Sequence, residues 1–153
     1  MIMKIPVEIM VSNKRLDYRE MAGVSDVPEP KESVDSYVGY LKFNNHGFVL
    51  DYLEANDGFG RIETSVIYKN GSVLLSRRGD IDTNLVFIEG KSCDCACYTE
   101  RSQFSLRVTT KELSSNISTL GGKLTIDYTV DIMGNVAEKN TLCVSLCPVD
   151  SVS

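Results

Sequence analysis

The sequence has little positive charge, and this scarcity excludes two large classes of partner. Its 16 lysines and arginines are outnumbered by 21 aspartates and glutamates, which gives a formal net charge of −5 and a pI of about 4.9. Phosphate recognition depends on clustered Lys and Arg, whereas no basic run in this chain is longer than a pair. The same acidity disfavours binding to anionic membranes. We therefore predict neither a nucleic-acid partner nor a membrane partner.

Long hydrophobic runs are also missing. The N-terminal segment MIMKIPVEIMVSNK is interrupted by Pro6 and Glu8, which leaves it too short for a signal peptide or a membrane span. Alternation of Ile5, Val7 and Ile9 predicts a first β-strand instead. The five cysteines are an odd number, which a secreted disulfide framework rarely leaves behind. We therefore expect free thiols and a cytoplasmic protein.

Histidine is nearly absent, and this limits the chemistry that can be predicted. The single histidine, His46, lies in the turn segment NNHG, so no Ser/His/Asp or Cys/His arrangement is indicated. The segment GFGR lacks the strand–turn–helix context of a phosphate loop. Asp127 and Asp131 alternate onto the outer face of their strand, where they solvate the surface. We predict no catalytic residue, no cofactor and a non-enzymatic function, with an enzyme of unrecognised type as one alternative.

The segment KSCDCACYTE raises the question of a metal site, because Cys93, Cys95 and Cys97 occupy every second position. Such residues share one face of a strand and lie about 6.7 Å apart, given a rise of about 3.3 Å per residue. Two thiolates on tetrahedral zinc lie roughly 3.8 Å apart, given a Zn–S distance of about 2.3 Å. One flat strand hardly supplies three such ligands. We predict no metal site and expect core thiols, with Cys143 and Cys147 on the outer face of the last strand.

Helical periodicity is almost absent, whereas strand patterns recur along the chain. KLTIDYTVDI and FSLRVTT alternate strictly between apolar and polar residues, and turn signals such as Asn70–Gly71 separate consecutive strands. Strands with one apolar face and short connections favour an antiparallel meander that closes on itself. We predict an all-β fold with residues 1–153 in a single antiparallel barrel of about 8–10 strands. The acidic, proline-containing segment Asp17–Asp35 is predicted to be a polar surface excursion.

Three segments carry a resemblance to a known family. They are GGKLTIDYTVDIMGNVAEKNTLCVSL, SVLLSRRGDIDTNLVFIEGK and HGFVLDYLE. The residues at matching places include Arg77, Gly79, Phe87, Gly90, Tyr52 and Glu54. These segments resemble the YwiB-like family, a bacterial domain of unknown function with a calycin-like (lipocalin-type) β-barrel. The resemblance implies the barrel, and it carries no established activity with it.

Polar residues in inward-facing rows form the candidate binding site. Arg77 follows Val73 and Leu75 on one face, and a buried arginine must be paired, so an acidic partner is expected. The predicted ligand-binding residues are Arg77, Tyr52, Glu54 and Tyr128. Such a cluster in an apolar barrel is suited to orienting a small apolar or amphipathic ligand with an anionic head. The alternative for these residues is a structural ion pair near the mouth of the barrel.

A second hypothesis for the whole chain is a non-catalytic interaction module. In that case the barrel interior is filled by its own side chains, and the outer face or the Asp17–Asp35 excursion contacts a partner. A homodimer is then the expected assembly, because a closed barrel has few other ways to pair.

Overall fold

The described part of the chain folds almost entirely into β-strands. The computed structural model describes residues 4–18, 29–56, 60–79 and 81–149, and these residues contain no helix. The strands are β1 (Lys4–Asp17), β2 (Lys31–Phe43), β3 (Gly47–Asn56), β4 (Gly60–Lys69), β5 (Ser72–Arg78), β6 (Asp82–Ile88), β7 (Ser92–Tyr98), β8 (Gln103–Ser115), β9 (Gly122–Ile132) and β10 (Asn135–Pro148).

These strands form one closed sheet. Each strand pairs antiparallel with the next along the chain, and β1 pairs antiparallel with β10 to complete the barrel. Ile9, for example, lies opposite Tyr37 of β2 on one side and Leu146 of β10 on the other. Closure satisfies backbone groups that an open sheet would expose at its edges. The prediction of an all-β antiparallel barrel is confirmed, with ten strands.

Two tight hairpins follow the turn signals in the sequence. Asn70 and Gly71 connect β4 to β5 with φ values of 50° and 81°. Met133 and Gly134 connect β9 to β10 with φ values of 54° and 85°. Positive φ at both central residues matches the right-handed twist of the flanking strands, which is why Asn-Gly is such a strong hairpin signal. Met133 adopts this conformation with its side chain exposed to solvent.

One end of the barrel, called here the packed end, is filled by side chains. It is the end where β1 begins and β2 finishes. Phe48 stacks on Tyr68 with ring centroids 5.2 Å apart and meets the edge of Phe43 at 6.4 Å. The fully buried residues of the barrel interior include Val7, Ile9, Leu41, Leu50, Val73, Phe87, Val108, Leu124 and Ile126. Burying an aliphatic or aromatic side chain of this size contributes about 1.5–3 kcal/mol, so this core anchors the barrel.

The cysteine strand is part of the interior wall. Cys95 and Cys97 on β7 are buried and Cys93 is half-buried, whereas Asp94 points out to solvent. All five thiols are free. The described residues contain no group of three or more His, Cys, Asp or Glu side chains placed to hold a metal ion. The cysteines of β7 therefore occupy positions at which other strands carry aliphatic residues.

Both ends of the predicted excursion belong to strands. Asp17 is the last residue of β1, and residues from Lys31 onward form β2, which pairs along β1 as far as Arg15. The strands therefore extend into the predicted bounds Asp17 and Asp35 from both sides. Residues 19–28, which make up most of the remainder, lie outside the described part of the chain.

Candidate ligand cavity

A cavity of about 230 Å³ lies inside the barrel. It lies toward the end opposite the packed end, where β1 and β3 finish and β2 and β4 begin; we call this the cavity end. Its lining comprises Val11, Asn13, Asp35, Tyr52, Glu54, Val66, Val73, Leu75, Arg77, Phe87, Leu124, Ile126, Tyr128, Leu142 and Val144. The lining thus combines apolar side chains, which lie toward the packed end, with polar side chains, which lie toward the cavity end.

The apolar part of the lining is well packed. Phe87, which is fully buried, meets Tyr128 edge-to-face with ring centroids 4.7 Å apart. Leu124 and Ile126 precede Tyr128 in the inward row of β9 and are also fully buried. This wall can take up a hydrocarbon group, because apolar surface leaves water favourably there.

Glu54 is the centre of the polar part of the lining. One of its oxygens, Oε2, accepts hydrogen bonds from Arg77 Nε at 2.9 Å and from Thr64 Oγ1 at 2.6 Å. The other, Oε1, accepts a hydrogen bond from the Tyr37 hydroxyl at 3.1 Å. The strand register builds this cluster, since Tyr52 lies opposite Thr64, and Thr64 lies opposite Arg77. The Arg77–Glu54 ion pair is partly screened, because 42% of the Arg77 side chain is exposed.

Two tyrosines of the lining, Tyr52 and Tyr128, and the neighbouring Tyr37 are in their protonated form. Tyr37 stacks on Tyr52 with ring centroids 4.9 Å apart and an interplanar angle of 26°. Burial, together with the charge of Glu54, raises the pKa of Tyr37 to about 12. Burial and the Glu54 charge also raise the pKa of Tyr52, and burial with the charge of Glu138 raises the pKa of Tyr128. At neutral pH these hydroxyl groups are therefore hydrogen-bond donors.

The side-chain amides of Asn13 on β1 and Asn140 on β10 form a hydrogen-bonded relay at the cavity end. Asn140 Nδ2 donates to Glu138 Oε1 at 3.2 Å, and Asn13 Nδ2 donates to Asn140 Oδ1 at 3.3 Å. An ionised carboxylate can only accept hydrogen bonds, so Glu138 fixes the orientation of both amides. Asn13 Oδ1 is then the free acceptor at the end of the relay. That oxygen is buried and has no hydrogen-bond partner among the residues described.

All four residues predicted for the site line this cavity. Glu54 and Arg77 contact each other, Tyr52 stacks on Tyr37, and Tyr128 lies on β9 against Phe87. Their role in binding a ligand stays a prediction. His46, which sequence analysis set aside, is an exposed turn residue at the packed end, where Asn44 Oδ1 accepts a hydrogen bond from its backbone N–H.

Sequence reasoning missed four residues of the cavity end. Asn13 continues the inward row of β1 after Val7, Ile9 and Val11, so its polar side chain at an inward position was a readable signal. Asp35 belongs to a strand whose beginning was assigned to the excursion, and Tyr37, which follows it, was not singled out. Thr64 is inward on β4 and was not singled out.

The fold defines a class of protein: a closed antiparallel β-barrel with a cavity in its interior. Residues 22–144 match the family model described as "Domain of unknown function (DUF1934)". The chain therefore belongs to the DUF1934 family.

A sequence relative and a solved structure are similar to this chain. The chain is 26% identical over 94 residues to the uncharacterized beta-barrel protein YwiB of Bacillus subtilis (strain 168). That alignment covers 61% of this chain and 66% of the relative, so it spans slightly less than two thirds of that protein. The crystal structure of the ywiB protein from Bacillus subtilis superposes with a TM-score of 0.78 at 20% identity. It covers 96% of this chain and 94% of the other, which shows a common fold.

No helix that could cross a membrane is found in the described part of the chain.

Proposed function

We propose that this chain is a non-catalytic β-barrel that holds one small apolar or amphipathic molecule in its interior. The observation that carries the proposal is the cavity of about 230 Å³ with an apolar wall and a polar end. Binding sites for small molecules combine such apolar lining with a few placed polar groups. The proposed polar anchors are Arg77, Tyr52, Glu54 and Tyr128.

The size of the cavity limits the ligand. At about 30 Å³ per water molecule, it equals the volume of roughly seven or eight waters. It is also smaller than the ~300–1,000 Å³ of pockets that take drug-sized ligands. The proposed ligand is therefore a short-chain or single-ring molecule. Its apolar part would lie against Phe87 and Ile126, and its polar part would face Glu54.

Native mass spectrometry of the protein purified under reducing conditions tests this function directly. The mass of the folded protein is compared with its denatured mass, and an excess that matches an organic molecule is the expected result. Leu75→Phe would fill the cavity from β5 and abolish the excess mass. Leu74→Phe, on the outer face of the same strand, is the matched control and would retain it. Retention of the ligand by Leu75→Phe, or no excess mass and no binding of small apolar probes, would contradict the proposal.

The interaction module remains a second candidate because of one surface feature. Val34, Val38 and Tyr40 on β2 and Met10 on β1 are large apolar side chains that are all at least half exposed. They lie on the outer face of neighbouring strands, and together they would support a homodimer in which β1 and β2 of two copies meet. Oligomer peaks in the same mass spectra test this, because a monomer at micromolar concentration would contradict it.

A cytoplasmic location is part of the proposal. It is supported by five free thiols, two of which, Cys95 and Cys97, are buried in the barrel wall. Reducing compartments keep such thiols unpaired.

A further inference from the structure

Among the described side chains that line the cavity, the buried polar atom without a partner is an acceptor, whereas the unpaired Nε–H of Arg15 lies outside the lining. Glu54 already accepts from Tyr37, Thr64 and Arg77, so protein groups occupy most of its capacity. Asn13 Oδ1 is buried with no partner among the described residues, and the Asn140–Glu138 relay holds it as an acceptor. An unsatisfied buried acceptor costs free energy, which a ligand with a donor group would recover.

The charges on the lining also favour a ligand with a donor group over an anionic one. Asp35 and Glu54 are acidic and Arg77 is the single basic residue among the lining side chains, which gives the lining a formal charge of −1. Asp35 is an exposed member of this lining, and its charge contributes to the raised pKa of both Tyr37 and Tyr52. Arg15 and Glu138, just beyond the lining, act on Tyr128 in opposite directions.

Arg77 is engaged by Glu54, which lowers its attraction for an anion below what the sequence alone suggested. Its Nε–H is bound to Glu54 Oε2 at 2.9 Å, and the carboxylate neutralises the guanidinium. An anionic ligand head would have to compete with Glu54 and approach Asp35. Like charges at short distance disfavour such a complex.

We propose that the ligand's polar head is a hydrogen-bond donor, and that a small primary amine on a short apolar body is the class that fits best. This inference rests on the proposed function. The ammonium group would donate to Asn13 Oδ1 and lie near the carboxylate of Asp35, with its hydrocarbon against Phe87 and Ile126. A neutral alcohol would donate to Asn13 Oδ1 but would gain nothing from the charge of Asp35. A carboxylate would neither donate to Asn13 Oδ1 nor be attracted by Asp35.

A series of probes with one hydrocarbon chain and different heads separates these classes. Hexylamine, hexanol and hexanoate are titrated at neutral pH into the full chain, and binding is followed by calorimetry and by NMR shifts of the Asn13 side-chain amide. The expected order of affinity is hexylamine, then hexanol, then hexanoate, with the amine at least about tenfold tighter than the carboxylate.

Two substitutions locate the head group. Asp35→Asn would weaken hexylamine about tenfold and leave hexanol unchanged, while Asp94→Asn on the outer face of β7 would change neither. Asn13→Leu would weaken hexylamine and hexanol alike, while Asn45→Leu in the exposed β2–β3 turn would not. Unfolding midpoints are measured for all four variants, and if Asn13→Leu fails to fold, Asp35→Asn alone decides the question of charge.

The outcomes distinguish the two proposals. Equal affinities, or tightest binding of hexanoate, would overturn the donor head and leave the binding function standing. An unchanged hexylamine affinity in Asp35→Asn would also overturn it. No binding of any probe, together with no excess mass in native spectra, would remove both.

Discussion

At the scale of single residues, Glu54 holds the polar cluster together. Its carboxylate accepts three hydrogen bonds from three different strands, β2, β4 and β5. Glu54→Gln would remove the charge and leave one acceptor oxygen for three donors. Because Arg77 is substantially exposed and can turn to water, we expect a loss of stability of about 1–2 kcal/mol rather than more. Urea denaturation measures this as a lower midpoint with an unchanged m-value.

The matched control for that substitution is Glu63→Gln. Glu63 is an exposed residue next to Thr64 on β4, and its side chain points outward. It should change stability by less than about 0.5 kcal/mol. Equal effects of the two substitutions would show that the cluster around Glu54 adds no stability beyond that of a surface charge.

The buried tyrosines make stability sensitive to alkaline pH. The pKa of Tyr37 is raised from 10.0 to about 12, chiefly by burial, so the folded state holds its proton where the unfolded state has lost it. Stability is therefore fully present below pH 10 and falls as pH rises from 10 toward 12. Urea midpoints measured across this range should fall, and Tyr37→Phe should make the fall shallower. A slope that Tyr37→Phe leaves unchanged would contradict this prediction.

At the scale of elements, Gly39 on β2 allows β3 to pack closely against it at Tyr52. A Cβ at this position would lie 2.2 Å from the carbonyl oxygen of Asp51 and 2.8 Å from Tyr52 Cβ. Both atoms belong to the adjacent strand β3, which cannot move without breaking its ladder. Gly39→Ala should therefore destabilise the barrel by about 1–3 kcal/mol and displace Tyr52.

Gly79→Ala is the comparison for that prediction. There a new Cβ would meet the flexible Cγ1 of Ile62 at 3.1 Å, which can shift by a small rotation. Equilibrium unfolding should therefore show a much smaller loss for Gly79→Ala. If Gly39→Ala were equally mild, β2 and β3 would have room to separate, and the tight packing at Tyr52 would not be essential.

Most strands could be predicted from the sequence, and the beginning of β2 shows why one part could not. β9 alternates strictly, and the Asn70–Gly71 turn signals its hairpin directly. The first six residues of β2, KESVDS, are all exposed, so they bury no side chain that would mark them as a strand. Their extended conformation comes from backbone pairing with the long strand β1, which sequence patterns do not reveal. Asp35 was missed at the site for the same reason.

At the scale of the whole molecule, closure of the barrel gives each of the ten strands two hydrogen-bonded neighbours. β1 and β10 pair from Val7–Pro148 to Asp17–Glu138, and the N–H of Val149 donates to Pro6 O at 3.0 Å. The fold is therefore specified more by this ring of strand pairings than by the order of the strands along the chain. A circular permutant that joins Val149 to Lys4 by a short Gly/Ser linker keeps every one of these ladders.

Such a permutant should fold if the chain is opened between Glu100 and Arg101, in the exposed turn between β7 and β8. We expect the same far-ultraviolet spectrum and m-value, because the same surface is buried, with a lower urea midpoint from the looser β7–β8 connection. Opening between Tyr128 and Thr129 instead cuts β9 and should abolish cooperative unfolding. If the Glu100–Arg101 permutant also lost cooperativity, the β7–β8 turn would be needed to form the barrel, and the ring of strand pairings would not be sufficient to specify the fold.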